Sequence, residues 1–105
     1  MNTAITVSRA IDHAQTGDRE ALGFLYARYA DDVYDRVRHI LADRSEAEQV
    51  TREVFAQLAH AIGEYEHGDL SFHAWIVSRA RSAAVEHAGR RSHAAPHRHM
   101  SHGLV

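Results

Sequence analysis

Apolar residues recur every three or four positions along most of this chain, which is the spacing of one face of an α-helix. The longest such stripe runs from Leu22 to Leu41, about six helical turns, and has no glycine or proline after Gly23. A second stripe joins Ala47 to Ile62. Because strands would need alternation over two residues, the pattern predicts an all-α protein, a compact bundle of about four helices.

The first two predicted helices are separated by a clear break. Residues 3–15 form the first helix, and Gly17 ends its pattern. Asp18 is expected to cap the second helix, because its carboxylate accepts hydrogen bonds from amides that lack a partner within the helix. The second helix is expected to be continuous to Leu41. The short connection 42–44 then turns the third helix back against it.

Local signals also predict the ends of the third and fourth helices. Ser45 stands three residues before Glu48, the spacing of a capping box, and is expected to begin the third helix. Ser71 is expected to cap a fourth helix that runs over Phe72–Ala88. Gly89 is a common type of helix stop, so the fourth helix is expected to end there, although Arg90 and Arg91 could add another turn.

The tyrosines divide into two expected environments. Tyr26, Tyr29 and Tyr34 share the apolar stripe of the second helix, so we expect their rings in the core and their hydroxyl groups at the surface. Tyr65 and His67 lie between two glycines in the loop that follows the third helix, and we expect both side chains to be exposed.

Length and composition predict one folded domain. The chain has 105 residues, of which 45% are hydrophobic and 25% charged, as in soluble globular proteins. We expect the domain at residues 1–91 and a flexible His-rich tail at 92–105. Cysteine is absent, which excludes disulfides and thiolate chemistry. No membrane span or signal peptide is evident, so the expected compartment is the cytoplasm.

Charge is distributed unevenly along the chain. Residues 1–78 carry seven arginines and thirteen acidic residues, a balance of −6, whereas residues 79–105 carry five arginines and one glutamate, a balance of +4. All twelve basic residues are arginine. The asymmetry indicates two binding surfaces of opposite sign, although a solvated tail explains the basic end almost as well.

The sequence contains no pattern typical of an enzyme or of a designed metal site. It lacks a nucleophile elbow, a phosphate-binding glycine loop and a dinucleotide fingerprint, and no cofactor is expected. A His-rich metal-binding tail is the one alternative of this kind, but we favour a solvated tail and predict no metal site. The tail histidines are His93, His97, His99 and His102.

Three segments in a fixed order resemble region 2 of the sigma-70 family, in its extracytoplasmic-function branch. These segments are DREALGFLYARYADDVYDRV, then AEQVTREVF, and then FHAWIVSRARSAAVEH after an aromatic and glycine-containing loop. The resemblance covers residues 17–91. It implies a helical domain that binds the β′ clamp helices of core RNA polymerase and recognises and melts the −10 promoter element on the non-template strand.

The resemblance also implies three sets of site residues. The polymerase-binding surface would be the outer face of the third helix, with Glu48, Gln49, Arg52, Glu53, Phe55 and Gln57. A pocket for a base flipped out of the non-template strand would be lined by Ala61, Tyr65, Ala74 and Ser82. Contacts to DNA phosphates would come from Arg79, Arg81, Arg90 and Arg91. Arg79 lies on or beside an apolar stripe, so we expect it at the rim of the core or paired with an acid.

Several positions depart from the family pattern. Gln49 stands where aspartate is typical, Arg52 where glutamine is typical, and Ser82 where asparagine is typical. The helix-turn-helix domain that follows region 2 in this family is not expected within these residues. Both features keep a second hypothesis open: a sigma-like interaction module that binds polymerase or an anti-sigma factor with little or no promoter readout. Neither hypothesis involves a membrane.

Overall fold

A computed structural model of the protein describes residues 3–68 and 70–94, with the side chains of residues 6–68 and 70–90. The described residues form four α-helices and a single 3-10 turn, and they contain no strand. The helices are α1 (Thr3–Gln15), α2 (Arg19–Arg38), α3 (Arg44–Ala61) and α4 (Phe72–Ala94), with the turn at Ile62–Glu64. The predicted all-α bundle is therefore confirmed.

Helix α2 is the centre of the bundle, because it packs against all three other helices. One of its faces is buried along its whole length, as the apolar stripe predicts. Against it lie the buried faces of α3 and α4, and α1 also packs against it. The largest fully buried side chains are Leu25, Val33, Val37, Leu41, Val50, Leu58, Ile62 and Ile76. These leucine, isoleucine and valine side chains form one core shared by α2, α3 and α4, with Leu41 from the connection after α2 and Ile62 from the 3-10 turn.

The break between α1 and α2 has the predicted chemistry. Gly17 has a φ of 94°, a left-handed conformation that glycine adopts without steric cost. Asp18 caps α2, since its Oδ1 accepts hydrogen bonds from the amides of Glu20 at 2.9 Å and Ala21 at 3.3 Å. This turn directs α1 back along α2.

Helix α3 begins two residues earlier than predicted, with Asp43 as its cap in place of Ser45. The Oδ1 of Asp43 accepts a hydrogen bond from the amide of Glu46 at 3.0 Å, which is the N-cap interaction. Ser45 lies inside the first helical turn and is exposed. The expected capping box was therefore wrong, because α2 ends at Arg38 and leaves a connection of residues 39–43 in which Asp43 is already in position.

Helix α4 does not stop at Gly89 but continues to Ala94. Glycine ends a helix when it adopts a positive φ, and among the described residues Gly17 is the only one that does so. An exposed pair, Arg90 to Glu86 at 3.6 Å, lies along this last part of the helix. The helix thus extends three residues past the predicted domain end at residue 91. The rest of the predicted tail, residues 95–105, lies outside the described residues.

Helix α1 is attached to the end of α3 by a side chain that sequence patterns do not single out. The Nε2 of Gln15 donates hydrogen bonds to the backbone carbonyls of Ile62 at 3.0 Å and Tyr65 at 2.8 Å. These bonds cross about fifty residues of sequence and satisfy two carbonyl groups at a helix end. They hold the start of the α3–α4 loop in place.

Within residues 3–68 and 70–94, none of the helices combines the length and the apolar composition that crossing a membrane requires.

The cap of α3 can be tested by substitution. Asp43→Ala removes the acceptor for the Glu46 amide and is expected to lower the free energy of unfolding by about 1 kcal/mol. Ser45→Ala, the matched control two residues away, is expected to leave it nearly unchanged. Urea denaturation followed by circular dichroism measures both. A larger loss for Ser45→Ala than for Asp43→Ala would contradict the assignment of the cap.

Candidate functional site

Three aromatic side chains join the α3–α4 loop to the start of α4. The ring of Tyr65 lies 5.4 Å from that of Phe72 and 5.3 Å from that of Trp75, measured between centroids, and Phe72 and Trp75 are 5.5 Å apart. The hydroxyl of Tyr65 donates a hydrogen bond to the carbonyl of Leu70 at 3.0 Å. We call Tyr65, Phe72 and Trp75 the aromatic junction.

Tyr65 is buried, which contradicts the expectation that it is exposed; only 6% of the residue is accessible. Its burial has a physical cause: three rings supply a large apolar contact, and the Leu70 carbonyl satisfies the phenol within the loop itself. His67 is exposed as predicted. Its Nε2 lies 3.4 Å from the Oδ1 of Asp12 on α1.

The three tyrosines of α2 differ in burial more than the apolar stripe predicts. Tyr29 is buried, and this burial is the main cause that raises the pKa of its phenol. Tyr34 is half-buried, in line with a position at the edge of the core. Tyr26 is 47% exposed, so its expected core position was wrong. Its ring instead packs edge-on against Phe55 of α3, at 5.0 Å between centroids, on the outside of the bundle.

Arg79 lies at the rim of the core and is also paired with an acid, as its position predicts. Its guanidinium carbon is 5.2 Å from the centroid of the Trp75 ring, a cation–π contact. Its Nη1 is 3.9 Å from the Oε1 of Glu64. The guanidinium is therefore placed between the aromatic junction and the end of the 3-10 turn.

An open groove of about 550 Å³ lies between α3 and α4 beside this arginine. It is lined by Gln57, Arg79, Arg81, Ser82, Ala83, Val85 and Glu86. Two guanidinium groups, an amide and a hydroxyl thus share one surface, which we call the α3–α4 groove. Such groups bind phosphate oxygens and the edges of bases.

The four residues predicted to form the base pocket are not all brought to this groove. Ser82 lines it, whereas Ala61 and Tyr65 are buried and Ala74 is half-buried. Tyr65 instead borders a separate groove between α1, α2 and the loop, whose walls also include Arg28 and His73. The pocket residues were carried over one at a time from the family motif, and that comparison did not indicate this second groove.

The residues predicted to bind polymerase are mostly on the outer face of α3. Glu48, Gln49 and Arg52 are exposed and Glu53 is half-buried. Gln49 donates a hydrogen bond from its Nε2 to the Oε2 of Glu53 at 3.1 Å. This surface continues onto α2 through a groove of about 540 Å³. That groove is lined by Tyr26, Ala30, Asp31, Tyr34, Arg38, Arg44, Glu48, Thr51 and Arg52.

Gln57 and Phe55 stand apart from the other four members of that set. Phe55 is half-buried beneath Tyr26, so it supports the α2–α3 surface more than it extends it. Gln57 is exposed and lines the α3–α4 groove together with Arg79 and Ser82. Sequence spacing placed Gln57 on the outer face of α3, and only the packing of α4 shows which groove that position borders.

The described part of the chain holds no group of three or more histidine, aspartate or glutamate side chains that could bind a metal ion. Four of its histidines, His13, His67, His73 and His87, each lie within 4 Å of a single carboxylate. His73 contacts Asp32 at 3.1 Å, and His87 contacts Glu46 at 3.6 Å. These pairs connect α4 to α2 and to α3. Three of the tail histidines lie outside the described residues, and the fourth, His93, has no described side chain.

The aromatic junction predicts two different stability effects at one position. Tyr65→Phe keeps the ring but loses the hydrogen bond to Leu70, and we expect it to lower the free energy of unfolding by about 1 kcal/mol. Tyr65→Ala removes the ring and should cost about 3–5 kcal/mol. Urea denaturation followed through the single tryptophan, Trp75, measures both. Equal, near-zero effects would contradict the burial of Tyr65.

Comparison with known proteins agrees with these features. Residues 25–94 match the family model for Sigma-70 region 2. Among curated proteins, the ECF RNA polymerase sigma factor BldN of Streptomyces coelicolor is 32% identical over 77 residues. The matched part covers 73% of this chain and 29% of BldN, so the chain spans less than a third of that relative. No solved structure matches significantly. The chain belongs to the sigma-70 family, as a region 2 domain of the extracytoplasmic-function type.

Proposed function

We propose that this domain binds the β′ clamp helices of core RNA polymerase and recognises and melts the −10 promoter element during transcription initiation. The observation that carries the proposal is the α3–α4 groove, in which Arg79, Arg81, Ser82 and Gln57 meet beside Trp75. The groove holds two arginines against one glutamate, Glu86, and Arg79 connects it to the Trp75 ring. A net positive groove next to an aromatic ring suits single-stranded DNA, whose phosphates need positive charge and whose bases stack.

The groove supports separate contacts to the DNA backbone and to bases. Arg79 and Arg81 would bind phosphates, and they hold the strand in register without reading its sequence. Arg90 lies further along α4, paired with Glu86, and would extend this track. Arg91 belongs to the same helix, and we keep it in the proposed phosphate set on the family resemblance alone.

Base recognition would combine the groove with the residues beneath it. Ser82 offers a hydroxyl and Gln57 an amide, which carries both a donor and an acceptor for a base edge. We therefore assign Gln57 to the DNA surface rather than to the polymerase surface. The flipped base would be supported indirectly by Ala61, Tyr65 and Ala74, which lie beneath the surface. Tyr65 packs against Trp75, and the Trp75 ring contacts the Arg79 guanidinium.

The polymerase surface would be the outer face of α3 together with the exposed Tyr26 and the half-buried Phe55 that it packs against. Glu48, Arg52 and Glu53 supply alternating charges, and Tyr26 with Phe55 supplies an apolar anchor. Interfaces commonly combine such an aromatic centre with a charged rim. This face is separate from the α3–α4 groove, so one domain has room for polymerase and DNA at the same time.

A second function is favoured by one observation. Ala61 and Tyr65 are buried, so these two predicted pocket residues do not present an open site for a base. The alternative is a sigma-like module that uses only the α2–α3 face, to bind polymerase or an anti-sigma factor. It predicts polymerase binding without measurable affinity for a −10 oligonucleotide.

The DNA surface is tested with Arg81→Ala. In the presence of core polymerase, the variant should bind a single-stranded −10 non-template oligonucleotide more weakly. The slope of log affinity against log salt should become shallower by about 0.7, the value for one phosphate contact on a single strand. Arg19→Ala, the same charge change at an exposed position of α2 outside this groove, serves as the control. Absence of wild-type binding would favour the second function.

The polymerase surface is tested with Glu53→Lys. Reversing this charge at the centre of the outer face should weaken binding to β′ clamp helices by about tenfold, or 1.4 kcal/mol, because it repels the charges that matched the wild-type residue. Glu66→Lys in the α3–α4 loop is the matched control and should bind normally. Titration by fluorescence anisotropy gives both affinities. If Glu53→Lys and Glu66→Lys bind the clamp helices with the same affinity, the outer face of α3 is not the polymerase-binding surface.

A further inference from the structure

We infer that Glu64 competes with DNA phosphate for Arg79 and so weakens binding of single-stranded DNA to the α3–α4 groove until a strand displaces it. This inference rests on the proposed function and adds a residue that sets the affinity of the same site. The three groups involved are the Trp75 ring, the Arg79 guanidinium stacked on it and the Glu64 carboxylate beyond.

The geometry places Glu64 where an incoming phosphate would need to be. Arg79 Nη1 is 3.9 Å from Glu64 Oε1, while the Trp75 ring lies 5.2 Å from the guanidinium carbon. One face of the guanidinium is therefore occupied by the ring, and a carboxylate stands near its edge. Carboxylate and phosphate both bind arginine through that edge. Arg81, in contrast, has no acidic partner within 4 Å among the described residues.

Two features favour competition over a supporting role for Glu64. The Glu64 side chain is 77% exposed, and the 3.9 Å distance is too long for a strong hydrogen bond. The Trp75 ring already fixes the position of the guanidinium without it. A negative carboxylate beside a bound phosphate also repels that phosphate, so Glu64 acts against DNA whether or not it moves aside.

The size of the effect follows from the exposure of the pair. Exposed ion pairs change an equilibrium by at most about fivefold. Removing the Glu64 charge should therefore tighten binding of a single strand about two- to fivefold. Glu64→Gln keeps the shape of the side chain, and its high exposure means that folding should be unaffected.

The experiment titrates the full chain with a single-stranded −10 non-template oligonucleotide, with and without core polymerase. Without polymerase, Trp75 fluorescence reports binding. With polymerase, fluorescence anisotropy of the oligonucleotide reports it. Glu64→Gln is compared with Glu66→Gln, which makes the same charge change two residues away in the same loop. The pair is repeated in an Arg79→Ala background. The expected result is tighter binding for Glu64→Gln than for Glu66→Gln, and no difference between them once Arg79 is absent.

The outcomes separate this inference from the proposed function. If the wild type binds the oligonucleotide but the two glutamine variants are equal, only the role of Glu64 is overturned. Weaker binding of Glu64→Gln, or a gain that persists without Arg79, overturns it as well. Binding by Glu64→Gln but not by the wild type supports it. If neither protein binds, both the inference and the proposed function of the groove are overturned.

Discussion

The packing of Tyr65 against Phe72 and Trp75 is the contact on which the arrangement of the site depends. These rings fasten the α3–α4 loop to the first turn of α4, and Tyr29 of α2 meets the same cluster through Phe72 at 5.3 Å. Because the cluster joins α2, the loop and α4, it sets where α4 starts against the bundle. Every residue of α4 that borders the groove is positioned from that start.

The same cluster connects the core to the surface. Trp75 is only half-buried, and its outer face carries Arg79, which in turn faces Glu64 at the end of the 3-10 turn. Gln15 holds that turn from the other side, through its bonds to the carbonyls of Ile62 and Tyr65. Helix α1 therefore contributes to the geometry of the groove without lining it, because it holds the 3-10 turn that contains Glu64.

The two exposed surfaces of α3 face different neighbours. On one side, Glu48 and Arg52 continue onto α2, where Tyr26 and Phe55 form an apolar contact outside the core. On the other side, Gln57 joins the cationic residues of α4. A helix with one buried face and two distinct polar edges has room for two partners, and this arrangement is what the proposal of polymerase on one edge and DNA on the other requires.

Helical periodicity alone determined the class of fold, the number of helices and nearly all of the core. The buried faces of α2, α3 and α4 follow from residue spacing, because a helix presents every third or fourth residue to its partner. The order of motifs also identified the family. The caps of Asp18 and Ser71 follow from local chemistry, since each involves amides within three residues.

Tertiary structure decided what local rules leave open. It buried Tyr65, because the fold of the loop brings the Phe72 and Trp75 rings of α4 onto it. It exposed Tyr26, whose ring packs against Phe55 of α3. It allowed α4 to continue past Gly89, because glycine can adopt a helical φ as well as a positive one, and Gly89 does not have a positive φ. It also placed Gln57 with Arg79 and Ser82 and set Glu64 beside Arg79. Those neighbours come from separate elements, and their distances depend on how the helices pack.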